Sequence, residues 1–494
     1  MIRDTFENII QQKDIRKNLI QLRAELKEGF NKAAFLYQVG ADYTIFDKLL
    51  ENEDAKVRKN TALIMGVLAV PRFLDMLYEA YQKEDQLFVK SSYLIAMKDF
   101  EYGELIPYFK ERLSILSNLE INDANKKHVS EEMRILTELI LSKEGVEQHA
   151  FTGYEVSSEL VLLTNRNFKN ITMEQLKDKE VVDFNAGIRM KTDKLRAVLP
   201  IRTYGELLFV LEDVKVCSAD VNEAAKAIAT SSLLEFMEKR HEGTAPFYFR
   251  IELKSKLELD KKSAFTKKLG MEIERLTQRK LINTTSNYEF ELRMIENKEG
   301  NYNILVKLYT LKDERFSYRK KAIASSIQPV NAALIAALVK DYLKEGAQVL
   351  DPFCGVGTML IERYKLVWAS TMYGLDVYSD AIIKAKENTD AAQAIAYYIN
   401  RDFFDFKHEY LFDEIFTNMP RAMGHKEEDE IFTLYQKFFI KAPEHLKQGS
   451  VMILYSHNQD YVKRLVNRNI YHIEQEYEIS KKEGAYLYVI RYIG

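Results

Sequence analysis

The segment 347–376 limits the fold of this chain more than any other. An apolar run ends at Asp351, and the turn after it carries Gly355 and Gly357, where a backbone without a Cβ can pass close to a ligand. A helix begins at Thr358, and the free N–H groups at a helix start suit an anionic group. Strand, glycine turn and helix in this order predict an α/β unit that binds a ligand at the turn.

Two further positions narrow the choice of ligand. Asp376 ends the next predicted strand about 20 residues beyond the glycines, where a carboxylate can accept hydrogen bonds from two ribose hydroxyls. A pyrophosphate-binding fingerprint needs a third glycine, but Leu360 stands at that position. The pattern therefore favours S-adenosylmethionine over NAD, with a purely structural turn as the remaining alternative.

Composition excludes several classes of protein. At 494 residues, the chain has room for about three domains. No uncharged apolar run approaches the length of a membrane span, and the N-terminus lacks an apolar signal core, so we expect a cytoplasmic protein without membrane segments. Cys217 and Cys354 are far apart, which excludes a disulfide framework, and we expect no metal site. A net charge of −3 argues against a surface that is positive throughout, but it does not exclude local basic patches that bind nucleic acid.

Residues 1–145 have the apolar spacing of helices. Two segments, 53–63 and 84–94, resemble each other at a period of about 32 residues, with an acidic start, a valine beside a cation and a small apolar face. The pattern resembles HEAT-type repeats, and an ordinary helical bundle is the alternative. Either arrangement predicts a surface for a protein partner and supplies no catalytic group.

Strands and helices alternate irregularly after residue 146, as in an α+β module. In 241–322, an alternating strand, a basic helix and two further strands end in more cations. This order resembles a THUMP domain, and 146–240 resembles the ferredoxin-like domain that usually precedes it. The resemblance implies structured RNA as the partner, typically the acceptor end of tRNA. The cations predicted to contact RNA are Arg250, Lys267, Lys268, Arg275, Arg319 and Lys320, although a solvated face is the alternative for any charge run.

Residues 323–494 predict a parallel sheet that closes with a C-terminal hairpin. This is the layout of Rossmann-like class I methyltransferases, and an ordinary dinucleotide domain does not end in this way. The predicted strands are 347–351, 372–376, 396–399, 412–417 and 450–456, followed by the hairpin 472–479 and 485–493.

Ligands of open α/β sheets bind beyond the carboxyl ends of the strands. After the third strand, Asp402 could accept a hydrogen bond from the adenine amine while Phe403 packs on the ring; a helix cap and a core aromatic are the alternative reading. The residues predicted to bind the cofactor are Asp351, Phe353, Gly355, Gly357, Thr358, Asp376, Asp402 and Phe403.

The fourth strand ends in the predicted catalytic residues Asn418, Met419, Pro420 and Arg421. This stretch resembles the (Asn/Asp)-x-Pro-aromatic motif of enzymes that methylate amines. With the preceding modules, the resemblance covers 148–494 and extends to THUMP-containing RNA guanine-N2 methyltransferases. It implies methyl transfer from S-adenosylmethionine to guanine N2, most often in tRNA, with ribosomal RNA as the alternative.

The chemistry accounts for these residue types. The lone pair of an exocyclic amine is delocalised into the base, so the amine is a poor nucleophile. Oxygens of the Asn418 side chain and of the Met419–Pro420 backbone can accept its N–H bonds, aim the lone pair at the methyl group and stabilise developing charge. The target base must leave its stack, and a flat side chain on its face offsets part of that cost.

Arg421 departs from the aromatic residue of the motif. A guanidinium plane can stack on a base and attract phosphate. The change also fits a different target base, an arginine that only caps the strand, or a non-catalytic RNA-binding protein that retains cofactor affinity. A further alternative makes the helical repeats a docking scaffold.

Overall fold

The computed structural model describes residues 2–27, 29–40, 42–117, 125–145, 148–176, 180–422 and 428–494. They form two compact units that are each assembled from separate stretches of chain. The first unit comprises Met1–His149, Ser218–Thr230 and Thr244–Phe290, and the second comprises Ala150–Cys217, Ser231–Gly243 and Glu291–Gly494. The four predicted domains divide the chain differently and stay predictions, and the predicted border at 146 lies outside the described residues.

The described helices cover the chain up to Glu144 and then alternate with strands. Their bounds are α1 (Ile2–Ile10), α2 (Ile15–Glu25), α3 (Gly29–Val39), α4 (Thr44–Leu50), α5 (Ala55–Leu68), α6 (Phe73–Lys83), α7 (Leu87–Met97), α8 (Ile106–Ser117), α9 (Lys126–Glu144), α10 (Lys169–Met173), α11 (Leu195–Val198), α12 (Val221–Ala229), α13 (Leu233–Glu238), α14 (Leu259–Leu276), α15 (Pro329–Leu338), α16 (Thr358–Leu366), α17 (Ser379–Ala391), α18 (Glu428–Lys441) and α19 (Gln459–Leu465). In the described part of the chain, no helix is both long and apolar enough to cross a membrane.

The described strands begin after the helical region. Their bounds are β1 (Ser158–Thr164), β2 (Val181–Phe184), β3 (Gly187–Thr192), β4 (Tyr204–Val210), β5 (Val216–Cys217), β6 (Phe247–Lys254), β7 (Leu281–Asn283), β8 (Phe290–Glu296), β9 (Tyr302–Leu308), β10 (Ala347–Asp351), β11 (Ala369–Asp376), β12 (Tyr397–Asn400), β13 (Phe412–Asn418), β14 (Leu446–Ser456), β15 (Tyr471–Ser480) and β16 (Ala485–Tyr492). The expected combination of helices with mixed sheets is confirmed.

Helices α1 to α9 of the first unit share one hydrophobic core, in which Phe35, Phe73 and Phe109 are fully buried. The two similar segments of the sequence supply α5 and α7. Their starts are linked, because Arg58 donates from Nη2 to Glu84 Oε1 at 2.7 Å, and the same carboxylate oxygen accepts from the Gln86 N–H at 2.9 Å. The helices pack closely, but HEAT-type stacking stays a prediction.

Gly66 is where α5 comes closest to α7. A Cβ at this position would lie 2.7 Å from the Cα of Ala96 and 2.9 Å from its carbonyl oxygen. Both atoms belong to the backbone, so no side-chain rotation can relieve the overlap.

We expect Gly66→Ala to destabilise the contact between α5 and α7. Alanine normally stabilises a helix interior by about 1 kcal/mol relative to glycine, but overpacking against a backbone costs about 1–3 kcal/mol, so the net change is unfavourable. Hydrogen exchange of peptides from both helices should become faster. The matched control is Gly103→Ala, which meets no atom within 4 Å; equal protection in both variants would contradict the prediction.

The rest of the first unit places a basic helix beside two short parallel strands. Phe247 of β6 pairs with Leu281 of β7. Helix α14 buries Leu269, Gly270 and Ile273, and its lysines lie on the exposed side. The helix is therefore amphipathic, with cations on the face away from the core.

The second unit contains an antiparallel sheet and a seven-stranded sheet. The first has the strand order β2-β3-β1-β4-β9-β8 within this unit. The second has the order β12-β11-β10-β13-β14-β16-β15, with parallel pairing up to β14 and antiparallel pairing of β16 with β14 and β15. The predicted Rossmann-like sheet and its C-terminal hairpin are confirmed. Because β10 and β13 are central neighbours, the residues at their carboxyl ends meet.

Candidate functional site

Asp351 is a fully buried carboxylate at the carboxyl end of β10. Its Oδ1 accepts from the Thr417 hydroxyl at 2.5 Å and from the Phe353 N–H at 3.1 Å. Its Oδ2 is buried and has no hydrogen-bond partner among the described residues. Burial, with a smaller effect of the nearby Asp376 charge, raises the pKa of Asp351 to about 7. A buried acceptor of this kind suits a cationic group of a ligand.

The glycine turn follows Asp351 in the conformation that its residues require. Gly355 and Gly357 have φ values of 51° and 81°, in the left-handed region that favours glycine. A Cβ at Gly357 would lie 2.3 Å from the hydroxyl oxygen of Tyr398, whereas a Cβ at Gly355 would meet nothing within 4 Å. The sequence predicted close approach of a ligand at both glycines. At Gly357, the group that approaches is a side chain of the protein itself.

Asp376, at the end of β11, connects two loops beyond the sheet. Its Oδ2 accepts from the Gly355 N–H at 3.0 Å, and its Oδ1 accepts from the Tyr378 N–H at 2.9 Å. A carboxylate has about four acceptor sites, so ribose hydroxyls can share it with these amides. The strand-end acid thus lies directly beside the glycine turn, as the spacing predicts.

Two apolar residues that the sequence analysis missed follow this acid. Val377 is 55% exposed and Tyr378 is 57% exposed. Large apolar side chains at the ligand edge of a sheet can cover the flat face of a base. The sequence could have indicated both residues, because an apolar pair directly after a strand-end carboxylate lies outside the buried part of the strand.

The structure corrects the role of Phe403. Its ring is 1% exposed, because Phe353, Phe438 and His445 surround it at centroid distances of 5.4–6.2 Å. Asp402 is exposed and caps the short turn that follows, accepting from the Phe404 N–H at 3.0 Å. Phe403 is therefore a core aromatic, and its ring is not at a surface where adenine could stack, whereas the predicted contact of Asp402 with the adenine amine stays a prediction.

Arg319 also differs from its predicted role, and its partner is Thr358, where α16 begins as predicted. The Thr358 side chain is 2% exposed, and its hydroxyl accepts from Arg319 Nη1 at 2.9 Å. Arg319 is half-buried and also donates to the carbonyls of Ile327 and Lys321, at 2.9 and 3.0 Å. The bond between these two side chains lies at the first residue of α16. Arg319 is therefore not part of an open RNA-binding face.

The predicted catalytic stretch begins at the end of β13, next to Asp351. Asn418 is half-buried, and its side-chain amide has no hydrogen-bond partner among the described residues. Met419 is 1% exposed and donates its N–H to the Tyr455 carbonyl at 2.8 Å. Only the backbone of Met419 is therefore suited to the predicted contact. The Thr417 hydroxyl bond to Asp351 joins this stretch to the glycine turn.

Arg421 is exposed and lies against a residue that the sequence analysis did not name. Its Nη1 is 3.4 Å from both ring nitrogens of His457. His457 follows the end of β14, the neighbour of β13, so the strand-end rule applied to every strand would have selected it. The structure thus places a cation and an imidazole beside the predicted acceptor site.

The remaining cations predicted to bind RNA have mixed surroundings. Lys267, Lys268 and Lys320 are exposed. Arg275 donates from Nε to Glu272 Oε1 at 3.0 Å, and the Arg250 guanidinium lies 4.4 Å from the Tyr288 ring centroid. Among the described residues, no cluster of three or more His, Cys, Asp or Glu side chains could hold a metal ion.

Comparison with known proteins adds a family match and three structural neighbours. Residues 318–482 match the family UPF0020, described as an RMKL-like methyltransferase domain. The C-terminal part of this chain therefore matches a methyltransferase domain and has the class I methyltransferase fold. TrmN from Thermus thermophilus is similar in structure, with 17% identity and a TM-score of 0.51 over 68% of this chain and 99% of its own.

Two further structures have the same fold. A predicted N6-adenine-specific DNA methylase from Listeria monocytogenes has 16% identity and a TM-score of 0.52 over 67% of this chain and 96% of its own. The protein SMU.472, solved in complex with SAH, has 11% identity and a TM-score of 0.51 over 68% of this chain and 98% of its own. The predicted cofactor, S-adenosylmethionine, is confirmed by the match to a methyltransferase domain together with the bound SAH of this neighbour. The THUMP and HEAT-type resemblances stay predictions.

The residues at the carboxyl ends of β10 and β11 fit this cofactor. The unpartnered Oδ2 of Asp351 suits the ammonium of the methionine part, and Asp376 suits the ribose hydroxyls. When bound, the cofactor supplies an electrophilic methyl group on a sulfonium. The residues that would hold it are the buried carboxylate Asp351 and the strand-end acid Asp376.

We expect the contribution of Asp351 to the stability of the cofactor-free protein to fall as pH rises from about 4 to about 7. The pKa of Asp351 is raised in the folded state, so the protonated form stabilises folding below the unfolded pKa, and this contribution is lost through the folded pKa of about 7. Thermal unfolding from pH 4 to pH 8 measures the effect.

Asp351→Asn is the matched variant. An asparagine oxygen can still accept from Thr417 but carries no charge, so the pH dependence in this window should become flatter. The same change should weaken S-adenosylmethionine binding, because the acceptor for a cation is lost. An unaltered pH profile together with unaltered affinity would contradict the assignment.

Proposed function

We propose that this protein transfers a methyl group from S-adenosylmethionine to an exocyclic amine of a base in structured RNA, with guanine N2 of tRNA as the first candidate. The observation that carries the proposal is the position of Asn418. Its half-buried amide belongs to the last residue of β13, one residue after Thr417, whose hydroxyl donates to the Asp351 carboxylate. The proposed site for the target base and the site for the methyl donor are therefore at the ends of neighbouring central strands.

The reaction forms one N–C bond and breaks one S–C bond. The Asn418 side-chain oxygen and the backbone oxygen at Met419 accept the two amine N–H bonds, which aligns the lone pair with the methyl group. As the bond forms, positive charge grows on the amine nitrogen, and the same oxygens stabilise it. The extra proton then leaves the amine to solvent, so no covalent intermediate with the protein is needed.

The proposed substrate class rests on the charge of α14 and on the structural neighbours. Exposed Lys267 and Lys268 on α14 offer positive charge for a phosphate backbone. The names of two structural neighbours, TrmN and a predicted N6-adenine-specific DNA methylase, belong to those proteins and support a nucleic acid as the substrate here. Ribosomal RNA is the second candidate. Because Arg421 replaces an aromatic residue, a non-catalytic RNA-binding role is the alternative to be tested.

We also propose a division of the chain into four domains and a location of the protein in the cell. The division is 1–145 as HEAT-like repeats with a surface for a protein partner, 146–240 as a ferredoxin-like domain, 241–322 as a THUMP domain and 323–494 as the methyltransferase domain. The helices up to Glu144 and the basic, amphipathic α14 support this division. The proposed location is the cytoplasm.

Nucleoside mass spectrometry of tRNA and rRNA, from cells with and without the gene, tests the function. We expect loss of one methylated nucleoside, N2-methylguanosine first, and its return with the wild-type gene. Unchanged modification in both RNA pools would contradict the enzyme. Loss of a methylated adenosine instead would keep the chemistry and change the target base.

Two variants separate transfer from cofactor binding. Asn418→Ala should lower the transfer rate by about 100-fold or more, because an acceptor that acts in the transition state is lost, while the Kd for S-adenosylmethionine stays the same. Asp376→Ala should raise that Kd by about 10-fold through loss of the ribose contact. Calorimetric titration gives the Kd values. Near-normal turnover of Asn418→Ala would remove the catalytic assignment.

The basic face of α14 has its own test. Lys267→Gln with Lys268→Gln should weaken binding of bulk tRNA and lower the slope of log Kd against log salt by about 1–2, because each phosphate contact contributes about 0.7–0.9. The matched control is Lys13→Gln with Lys17→Gln, which neutralises two exposed lysines elsewhere in the first unit. An equal effect of both pairs would indicate a solvated face.

A further inference from the structure

Three segments meet beside the predicted acceptor site. Arg421 follows β13, His457 follows β14, and Glu483 lies in the turn between β15 and β16. Arg421 Nη1 is 3.4 Å from both His457 ring nitrogens, and His457 Nδ1 is 3.1 Å from the Glu483 carbonyl oxygen. The sequence motif contains only the first of these residues, so the other two add a connection that the motif does not describe.

The distances define how the two side chains meet. Nη1 is equally far from Nδ1 and Nε2, and Cε1–H occupies the edge between these nitrogens, so Nη1 lies over the face of the ring and not along the lone pair of one nitrogen. The Glu483 carbonyl can only accept, which assigns the proton to Nδ1 and leaves a lone pair on Nε2. A neutral imidazole with this tautomer presents electron density to the guanidinium.

The backbone on both sides of the contact is held in place. Asn418 pairs with Tyr455 in the parallel register of β13 and β14, and the Met419 N–H donates to the Tyr455 carbonyl at 2.8 Å. The Tyr455 ring stands edge-on to His457 at a centroid distance of 5.2 Å. The imidazole is therefore a fixed surface, whereas an exposed arginine alone would sample many rotamers.

The charged groups that affect His457 are Arg421 and Glu483. Burial first, and the Arg421 charge to a lesser extent, lower the pKa of His457, while the Glu483 carbonyl and carboxylate oppose this. The neutral form is thus favoured near neutral pH. Protonation would place a second positive charge against the guanidinium.

We propose that His457 is a positioning residue that holds the Arg421 guanidinium as the flat wall of the target-base site, in the place of the aromatic residue in the motif. This inference rests on the proposed function. The ligand is a base turned out of an RNA stack: its face packs on the guanidinium plane, and the adjoining phosphate is attracted by the charge. An aromatic residue is rigid and needs no such support, whereas a long arginine does.

A double-mutant cycle tests the inference with four full-length proteins: wild type, His457→Ala, Arg421→Tyr and the double variant. The probe is the tRNA and rRNA pool from cells that lack the gene, with S-adenosylmethionine as the donor. We expect His457→Ala to lower kcat/KM for RNA by about 10-fold in the wild-type background, mainly through KM for RNA, with KM for S-adenosylmethionine unchanged. In the Arg421→Tyr background, His457→Ala should lower kcat/KM for RNA by less than about 2-fold, because tyrosine needs no support.

Two further variants separate positioning from general structure. His457→Gln should recover part of the loss, because its planar amide can pack against the guanidinium in the place of the imidazole. His472→Ala removes an exposed histidine from β15 and should leave both KM values unchanged. An equal loss for His457→Ala in the two Arg421 backgrounds, or a raised KM for S-adenosylmethionine, would overturn the inference. If the wild-type chain itself methylates neither pool, the proposed function fails, which is a different result from an active chain with an additive cycle.

Discussion

The hydrogen bond from the Thr417 hydroxyl to Asp351 joins the two halves of the site. Asp351 ends β10, and Thr417 is the next-to-last residue of β13, its parallel neighbour. The bond lies in the interior, where an unpaired carboxylate is costly, so it fixes the cofactor turn and the acceptor stretch in one arrangement. Since the second oxygen of Asp351 has no partner among the described residues, part of the cost of burial remains for a cationic ligand to offset.

The helix that begins at the glycine turn is held by buried charges. Arg363 makes a bidentate pair with Glu414 of β13 at 2.7 and 2.9 Å, and both side chains are almost fully buried. Glu362, on the same helix, accepts from Arg202 and from the Tyr318 hydroxyl, each at 2.6 Å. Removal of one member of such a pair leaves an uncompensated charge, so these contacts specify one position of α16. Through Arg202 and Tyr318, the chain that precedes the methyltransferase domain contacts α16, the helix that begins at the glycine turn.

Local patterns predicted the C-terminal domain well because its signals act over short distances. Left-handed φ values at Gly355 and Gly357, the strand-end acid and the C-terminal hairpin all follow from neighbouring residues. Roles that depend on distant partners were predicted poorly. Phe403 is followed by another phenylalanine and preceded by an acid, which suits a ligand edge, but Phe438 and His445 enclose its ring from elsewhere in the chain. Arg319 belongs to a run of cations, yet it supports Thr358 instead of facing solvent.

The sequence by itself determined the fold class of the C-terminal domain and its cofactor, and it indicated the stretch that we propose receives the substrate. Strand periodicity, glycines and the order of the elements are local properties, and they are readable without coordinates. Only the tertiary structure decided which side chains complete the site. His457 contacts Arg421, and Glu483 contacts His457, because β13, β14 and the hairpin are neighbours in the sheet. No spacing within the motif contains that information, since the contact is made by strands that the chain connects through separate helices and turns.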